Sequence, residues 1–152
     1  TNPKMRNQIR WENVVYQDGN CEAIARTNGK VVARHKIVTV GKAVALKAVA
    51  DNSDWKADGM DLQHIRIIAV DSKGRRVPNA VAEVKVNVVG DAQLVAMSNG
   101  NINSDELNVT DHQSLFNGSC LAILRSGVAS SPVVVNISAP GLKAAKLKLA
   151  TK

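Results

Sequence analysis

Residues 58–80, with the sequence DGMDLQHIRIIAVDSKGRRVPNA, alternate between turns and strands. Asp58-Gly59 supplies a turn that tolerates positive φ, and residues 71–74 turn the chain again. Between the turns, apolar side chains take every second position and share one strand face: Ile65, Ile67 and Ala69. Pro78 stands at the start of a further strand, where no amide donor is needed. This arrangement is typical of a β-sandwich.

The same pattern extends along the whole chain. Short apolar segments are separated by Gly, Asn and Asp, and Asn28-Gly29 is a strong hairpin signal. The segments predicted as strands are residues 9–17, 21–26, 31–40, 44–50, 61–71, 80–89, 93–97, 119–125, 133–139 and 144–150. Residues 99–113 read as a polar loop, and no window favours a helix. The sequence therefore predicts an all-β fold with an immunoglobulin-like β-sandwich.

Composition limits the classes of function. The 152 residues are 45% hydrophobic, enough for a core, but only 3% aromatic. No apolar run approaches the ~18 residues of a membrane span, and the first residues are not a signal peptide. The net charge of +7 is dispersed over strand-like segments. With few aromatic side chains to stack on bases, we expect no nucleic-acid partner and no membrane span.

The strand pattern divides the chain near Gly41-Lys42. Residues 42–152 hold about seven strands, enough for a complete immunoglobulin-like sandwich. Residues 1–41 hold three, which are marginal alone, so they read as the closing strands of a truncated immunoglobulin-like domain. We expect this segment to dock on another surface or to associate with a second copy.

An ordered series of residues resembles a known family. In the first segment it comprises residues 11–16, Gly19, residues 22–25, residues 28–33 and residues 39–41; in the second it includes Asp61, Leu62, residues 77–80, Asn99-Gly100 and residues 116–118. The series is similar to the C-terminal immunoglobulin-like domains of bacterial glycoside hydrolase family 2 enzymes of the β-galactosidase type. The polar loop departs from the family, with Asn-Ile-Asn-Ser-Asp-Glu at residues 101–106.

The resemblance implies a non-catalytic module that packs on a larger glycosidase and stabilises it, with no cofactor and no metal. It also implies a periplasmic or secreted bacterial location. A retaining glycosidase needs two carboxylates held about 5 Å apart on a rigid frame. The chain has four glutamates, and we expect none to be catalytic: Glu12, Glu22, Glu83 and Glu106. Whether the chain binds carbohydrate or a second copy of itself stays open.

Trp55 is the candidate for substrate binding, because an exposed loop tryptophan can stack on a sugar ring. Its alternative role is to cap the end of the sandwich. Four acidic residues surround it and could hold calcium, although turn capping is the simpler interpretation: Asp51, Asp54, Asp58 and Asp61. Cys21 and Cys120 read as buried thiols. The three histidines have no diagnostic partner spacing: His35, His64 and His112.

Two rival functions belong to other classes. An independent carbohydrate-binding module would need an exposed aromatic platform, which Trp11, Tyr16, Trp55 or Phe116 would have to build. An adhesion-type repeat of bacterial surface proteins shares the same sandwich pattern and would belong to a chain of similar domains.

Overall fold

The computed structural model describes residues 9–152, which separate into two compact units, residues 9–39 and Val40–Lys152. The sequence places this division after Gly41. The described residues form ten strands connected by turns and irregular segments, with no helix among them. The described part of the chain therefore holds no helix that could cross a membrane. The fold is all-β, as predicted.

The first unit is a β-hairpin. Strands β1 (Asn20–Thr27) and β2 (Lys30–Val38) pair antiparallel, with an irregularity beside Ala25. Asn28 and Gly29 both have positive φ, 50° and 77°, which is the backbone of a type I′ turn and confirms the Asn-Gly signal. The strand predicted over residues 9–17 is wrong, because the residues that precede β1 are irregular.

The second unit is an immunoglobulin-like β-sandwich. Its strands are β3 (Ala45–Ala50), β4 (Leu62–Val70), β5 (Glu83–Val89), β6 (Ala92–Ser98), β7 (His112–Ser114), β8 (Ser119–Ser126), β9 (Pro132–Ala139) and β10 (Leu142–Ala150). One layer has the order β6-β8-β4-β3 and the other β10-β9-β5-β7. A single parallel pairing, Lys143 with Ala45, joins the layers along one side. Only the three-residue β7 was missed in the sequence, because it lies in the polar loop.

The core lies between the two layers. Alternate residues of the central strands are fully buried, as the period of two requires. In β4 these are Ile65, Ile67 and Ala69, each 0% exposed. They pack with inward residues of the neighbouring strands, including Val84, Ala122, Leu124, Val133 and Val135. Valine, isoleucine and leucine supply ten of the fifteen buried residues of this cluster, so branched aliphatic side chains rather than aromatic rings fill most of this interior.

Candidate functional site

Trp55 closes one end of the sandwich. It follows β3 in an irregular loop and is only 1% exposed. Its indole Nε1–H donates to the carbonyl oxygen of Asp61 at 3.0 Å, and its own carbonyl accepts from the amide of Lys152 at 3.0 Å. The prediction that the Trp55 ring is exposed is therefore wrong, because the packing leaves neither face of the indole open to stack on a sugar.

Two of the four acidic residues around Trp55 cap turns. A carboxylate oxygen of Asp58 accepts from the amides of Met60 and Asp61, at 2.8 and 2.7 Å. These backbone hydrogen bonds, the one from Met60 first, lower the pKa of Asp58 below its usual value. Asp61 in turn accepts from the amide of Lys56 at 2.9 Å. The carboxylates face amide donors, which is turn capping.

The two remaining aspartates of this group form exposed ion pairs. Asp51 contacts Arg66 at 3.4 Å, and Asp54 contacts Lys152 at 3.1 Å. Within residues 9–152 no three His, Cys, Asp or Glu side chains come together as a set that could hold a metal ion.

Glu106 organises the polar loop, and the sequence reading did not single it out. Its carboxylate accepts four hydrogen bonds. The donors are Asn99 Nδ2 at 3.1 Å, Ser104 Oγ at 2.9 Å, Gln113 Nε2 at 2.9 Å and the amide of Ser114 at 2.9 Å. These bonds, led by the contact with Ser114, lower the pKa of Glu106. The polar composition of residues 99–114 was the available signal, but the sequence does not show which carboxylate lies at the centre.

Asp71 has the same role in the turn at residues 71–74. Its side chain is 1% exposed and pairs with Arg75 at 2.6 Å. It also accepts from the amides of Gly41, Lys73 and Arg75 at 2.9–3.0 Å. The Arg75 contact, with these amides behind it, holds the pKa of Asp71 far below its usual range. The turn predicted at residues 71–74 is thus fixed by its own aspartate.

Neither Glu106 nor Asp71 suits proton transfer. A catalytic general acid needs a raised carboxyl pKa, so that it keeps its proton near neutral pH. Hydrogen-bond donors shift both pKa values in the opposite direction. The hydrogen bonds that the two carboxylates accept instead hold the turn at residues 71–74 and the polar loop.

One histidine has an acidic neighbour, but the geometry is not that of a catalytic triad. His112 Nδ1 lies 2.9 Å from Asp111 and 3.0 Å from Thr110 Oγ1. A triad uses the two ring nitrogens separately, one for the carboxylate and one for the nucleophile. Here both contacts meet at Nδ1. The Asp111 contact raises the pKa of His112, and the ring remains exposed.

The two cysteines differ in environment. Cys120 is buried at 4% exposure, as predicted, and burial raises the pKa of its thiol to about 12. Cys21, expected to be buried, is exposed in the hairpin.

The hydroxyl of Ser119, the residue before Cys120, donates to the carbonyl oxygen of Phe116 at 3.3 Å. This contact fits a turn rather than a catalytic nucleophile.

A polar pocket of about 320 Å³ lies near Asp91, Gln93 and Arg125. Its charged groups already have partners. Arg125 donates to Gln93 at 2.9 Å, and Asp91 accepts from the amide of Ala129 at 2.7 Å. The pocket lining contains no aromatic side chain for stacking on a sugar.

These features define a class of protein. It is an immunoglobulin-like sandwich in which the carboxylates that accept the most hydrogen bonds hold loops and turns. Residues 46–148 match the glycoside hydrolase family 2 C-terminal domain 5. The match covers more than half of the chain, which therefore belongs to this family. Residues 2–33 match a separate domain of unknown function, DUF4982.

Similar proteins support the assignment of the chain to this family. The chain is 31% identical to the beta-galactosidase BoGH2A of Bacteroides ovatus over 95% of its own length and 17% of that protein. It is 28% identical to a beta-glucuronidase of Formosa agariphila, over 94% of its length and 15% of the relative. A solved family 2 member from Bacteroides cellulosilyticus superposes with a TM-score of 0.89 at 31% identity, over 91% of this chain and 18% of that one. The chain thus corresponds to less than a fifth of the length of each of these three relatives.

Proposed function

We propose that this chain is the non-catalytic C-terminal module of a family 2 glycoside hydrolase, where it packs on the other domains and stabilises them. The observation that supports this proposal most strongly is the family match over residues 46–148. The role of the sandwich carboxylates supports the non-catalytic part, since Glu106 and Asp71 are occupied by hydrogen-bond donors from the polar loop and the turn that they hold. The parent enzyme would release terminal β-linked sugars at a site outside these residues.

We further propose that residues 1–41 are the closing strands of a second immunoglobulin-like domain of the same enzyme. Two paired strands alone are marginally stable at best. No described side chain from residues 9–38 is buried, so the hairpin fits a domain completed by other strands. The periplasmic or secreted location stays a prediction.

The test compares the full-length enzyme with a version that lacks residues 42–152. We expect kcat measured well below the melting transition to change little, and the melting temperature to fall. A loss of kcat in a deletion variant that is still folded would show that the module supplies part of the active site.

A second measurement separates the module from an independent carbohydrate-binding domain. Galactosides and oligosaccharides are titrated against this chain by calorimetry. We expect no saturable heat, because the loop tryptophan is buried. Saturable binding that Trp11→Ala or Phe116→Ala abolishes would instead favour the carbohydrate-binding function.

A further inference from the structure

The outer faces of the two sandwich layers differ in chemistry. On the layer β6-β8-β4-β3, aliphatic side chains point away from the core. Three of them are half-buried and two exposed: Ile68, Leu121, Ile123, Val49 and Leu62. Register places them in one patch, since Arg66 lies opposite both Val49 and Leu121, and His64 lies opposite Ile123.

The same patch carries cations. Lys47, Arg66 and Arg125 alternate with the aliphatic residues on β3, β4 and β8. These three basic residues, His64 and the five aliphatic residues together form what we call the apolar-basic face. The strand positions that point to this side contain no carboxylate. Asp51, just beyond β3, reaches only Arg66, in a pair whose side chains are 63% and 43% exposed.

The layer β10-β9-β5-β7 is the internal comparison. Its outward positions are mostly polar: Glu83, Lys85, Asn87, Asn136, Ser138, Lys146 and Lys148. Val89 and Val134 are the exceptions with larger aliphatic side chains, paired at one end of β5 and β9. Pro132 and Ala150 lie beside them, and Ala144 is a further small apolar residue on this side. A sheet face in water normally carries polar residues, as this one does. Water therefore explains the second outer face but not the five aliphatic residues of the first.

Charge indicates what covers the apolar-basic face. Two copies of a face that bears cations and no carboxylate would repel each other, so face-to-face pairing of two copies is disfavoured. An apolar surface rimmed by Asp and Glu would match both the aliphatic residues and the cations. Because the chain corresponds to only 17–18% of its relatives, the parent enzyme has further domains that can present such a surface.

We propose that the apolar-basic face docks on an acid-rimmed apolar surface of another folded domain of the parent enzyme. This inference rests on the proposed function, which supplies the parent, and adds the face by which the module binds. The basic residues would set the register through charge pairs, while Leu121 and Ile123 would fill the centre of the interface.

Site-specific photocrosslinking in the full-length enzyme tests the face. A photoreactive phenylalanine analogue replaces Ile123, and in a matched variant it replaces Val134. Both positions are half-buried, outward and on a central strand of their layer. We expect a crosslink from position 123 to an Asp- or Glu-containing segment outside residues 1–152, and at least about tenfold less crosslinking from position 134.

The other outcomes are separable. A crosslink from position 134 alone would overturn the choice of face and leave the proposed packing intact. A crosslink from position 123 to another copy of this module would overturn the choice of partner. No intramolecular crosslink from either position would contradict both this inference and the proposed packing.

Charge reversal provides an independent measurement on folded protein. Arg66→Glu and the matched Lys85→Glu both change exposed residues, on the first and second outer faces. In the full-length enzyme, we expect Arg66→Glu to speed amide exchange in the module by about tenfold or more, because a like charge would face the acidic partner. Lys85→Glu should leave exchange unchanged. Equal effects of the two reversals would overturn the proposal.

Discussion

The hairpin and the sandwich are built from the same kind of strand and reach opposite degrees of burial. β1 and β2 are eight and nine residues long, as long as β8 and β4 in the sandwich. In both regions strands alternate with turns, and several of the turns contain a glycine with positive φ. Yet every described side chain of residues 9–38 is exposed, while β4 places three residues at 0% exposure. Strand pairing alone makes no core, because a core needs a second layer over the sheet.

The two tryptophans give the largest expected contrast. Trp55→Ala removes a fully buried ring and leaves the carbonyl of Asp61 with only the amide of Ser126 as a donor, so we expect unfolding to become easier by about 3–5 kcal/mol. Trp11 is 66% exposed, and Trp11→Ala should change the free energy of unfolding by less than about 0.5 kcal/mol. Urea denaturation followed by circular dichroism measures both. Similar losses for the two variants would contradict the assigned difference in burial.

Two glycines test the same contrast in the backbone. Gly118 has φ +69°, and a Cβ there would collide with the carbonyl oxygen of Val77. Gly29 has φ +77° but open space around it. We expect Gly118→Ala to cost about 3 kcal/mol, since strain and overlap add, and Gly29→Ala about 1 kcal/mol. Thermal melts of the two variants compare these costs, and a larger effect at Gly29 would refute the ranking.

Glu106 should make the sandwich sensitive to acid. Its donors stabilise the carboxylate, so its folded pKa lies below the ordinary value of 4.5. The stability it contributes is fully present above that value and is lost as pH falls through the folded pKa. We expect Glu106→Gln to cost about 2 kcal/mol at pH 7 and to flatten the loss of stability below pH 4.5. Urea midpoints measured from pH 7 to pH 3 test this.

The control for Glu106 lies in the hairpin. Glu22 pairs with Arg34 at 3.2 Å on an exposed surface. Glu22→Gln should change the unfolding free energy at pH 7 by less than about 0.5 kcal/mol. If it matched Glu106→Gln, the hydrogen bonds that Glu106 accepts would contribute no more to stability than an exposed ion pair.

The two cysteines allow the hairpin and the sandwich to be compared in the unaltered protein, without a substitution that changes stability. Cys21 is exposed, whereas Cys120 is buried with its thiol pKa raised to about 12. Because the thiolate is the reactive form, a thiol reagent should label Cys21 quickly in the native protein and Cys120 only after unfolding. Mass spectrometry of labelled peptides identifies the site. Rapid native labelling of Cys120 would show that the sandwich opens far more readily than its packing suggests.

Much of this protein follows from local sequence. Period-two alternation placed Ile65, Ile67 and Ala69 on one face, and Asn-Gly placed the hairpin turn, because both depend only on neighbouring residues. The prediction failed for residues 9–17, where apolar residues suggested a strand that finds no partner in the described structure. It also missed Glu106, whose donors come from residues up to eight positions away.

The sequence by itself determined the all-β class, most strand positions and the family resemblance, since these arise from residue types and their short-range order. Only the tertiary structure decided which of two similar tryptophans, and which of two cysteines, became buried. It also decided that one outer face would be polar and the other apolar and basic. Alternation assigns a side chain to a face of its strand, but the other strands that fold against that face determine whether it is covered.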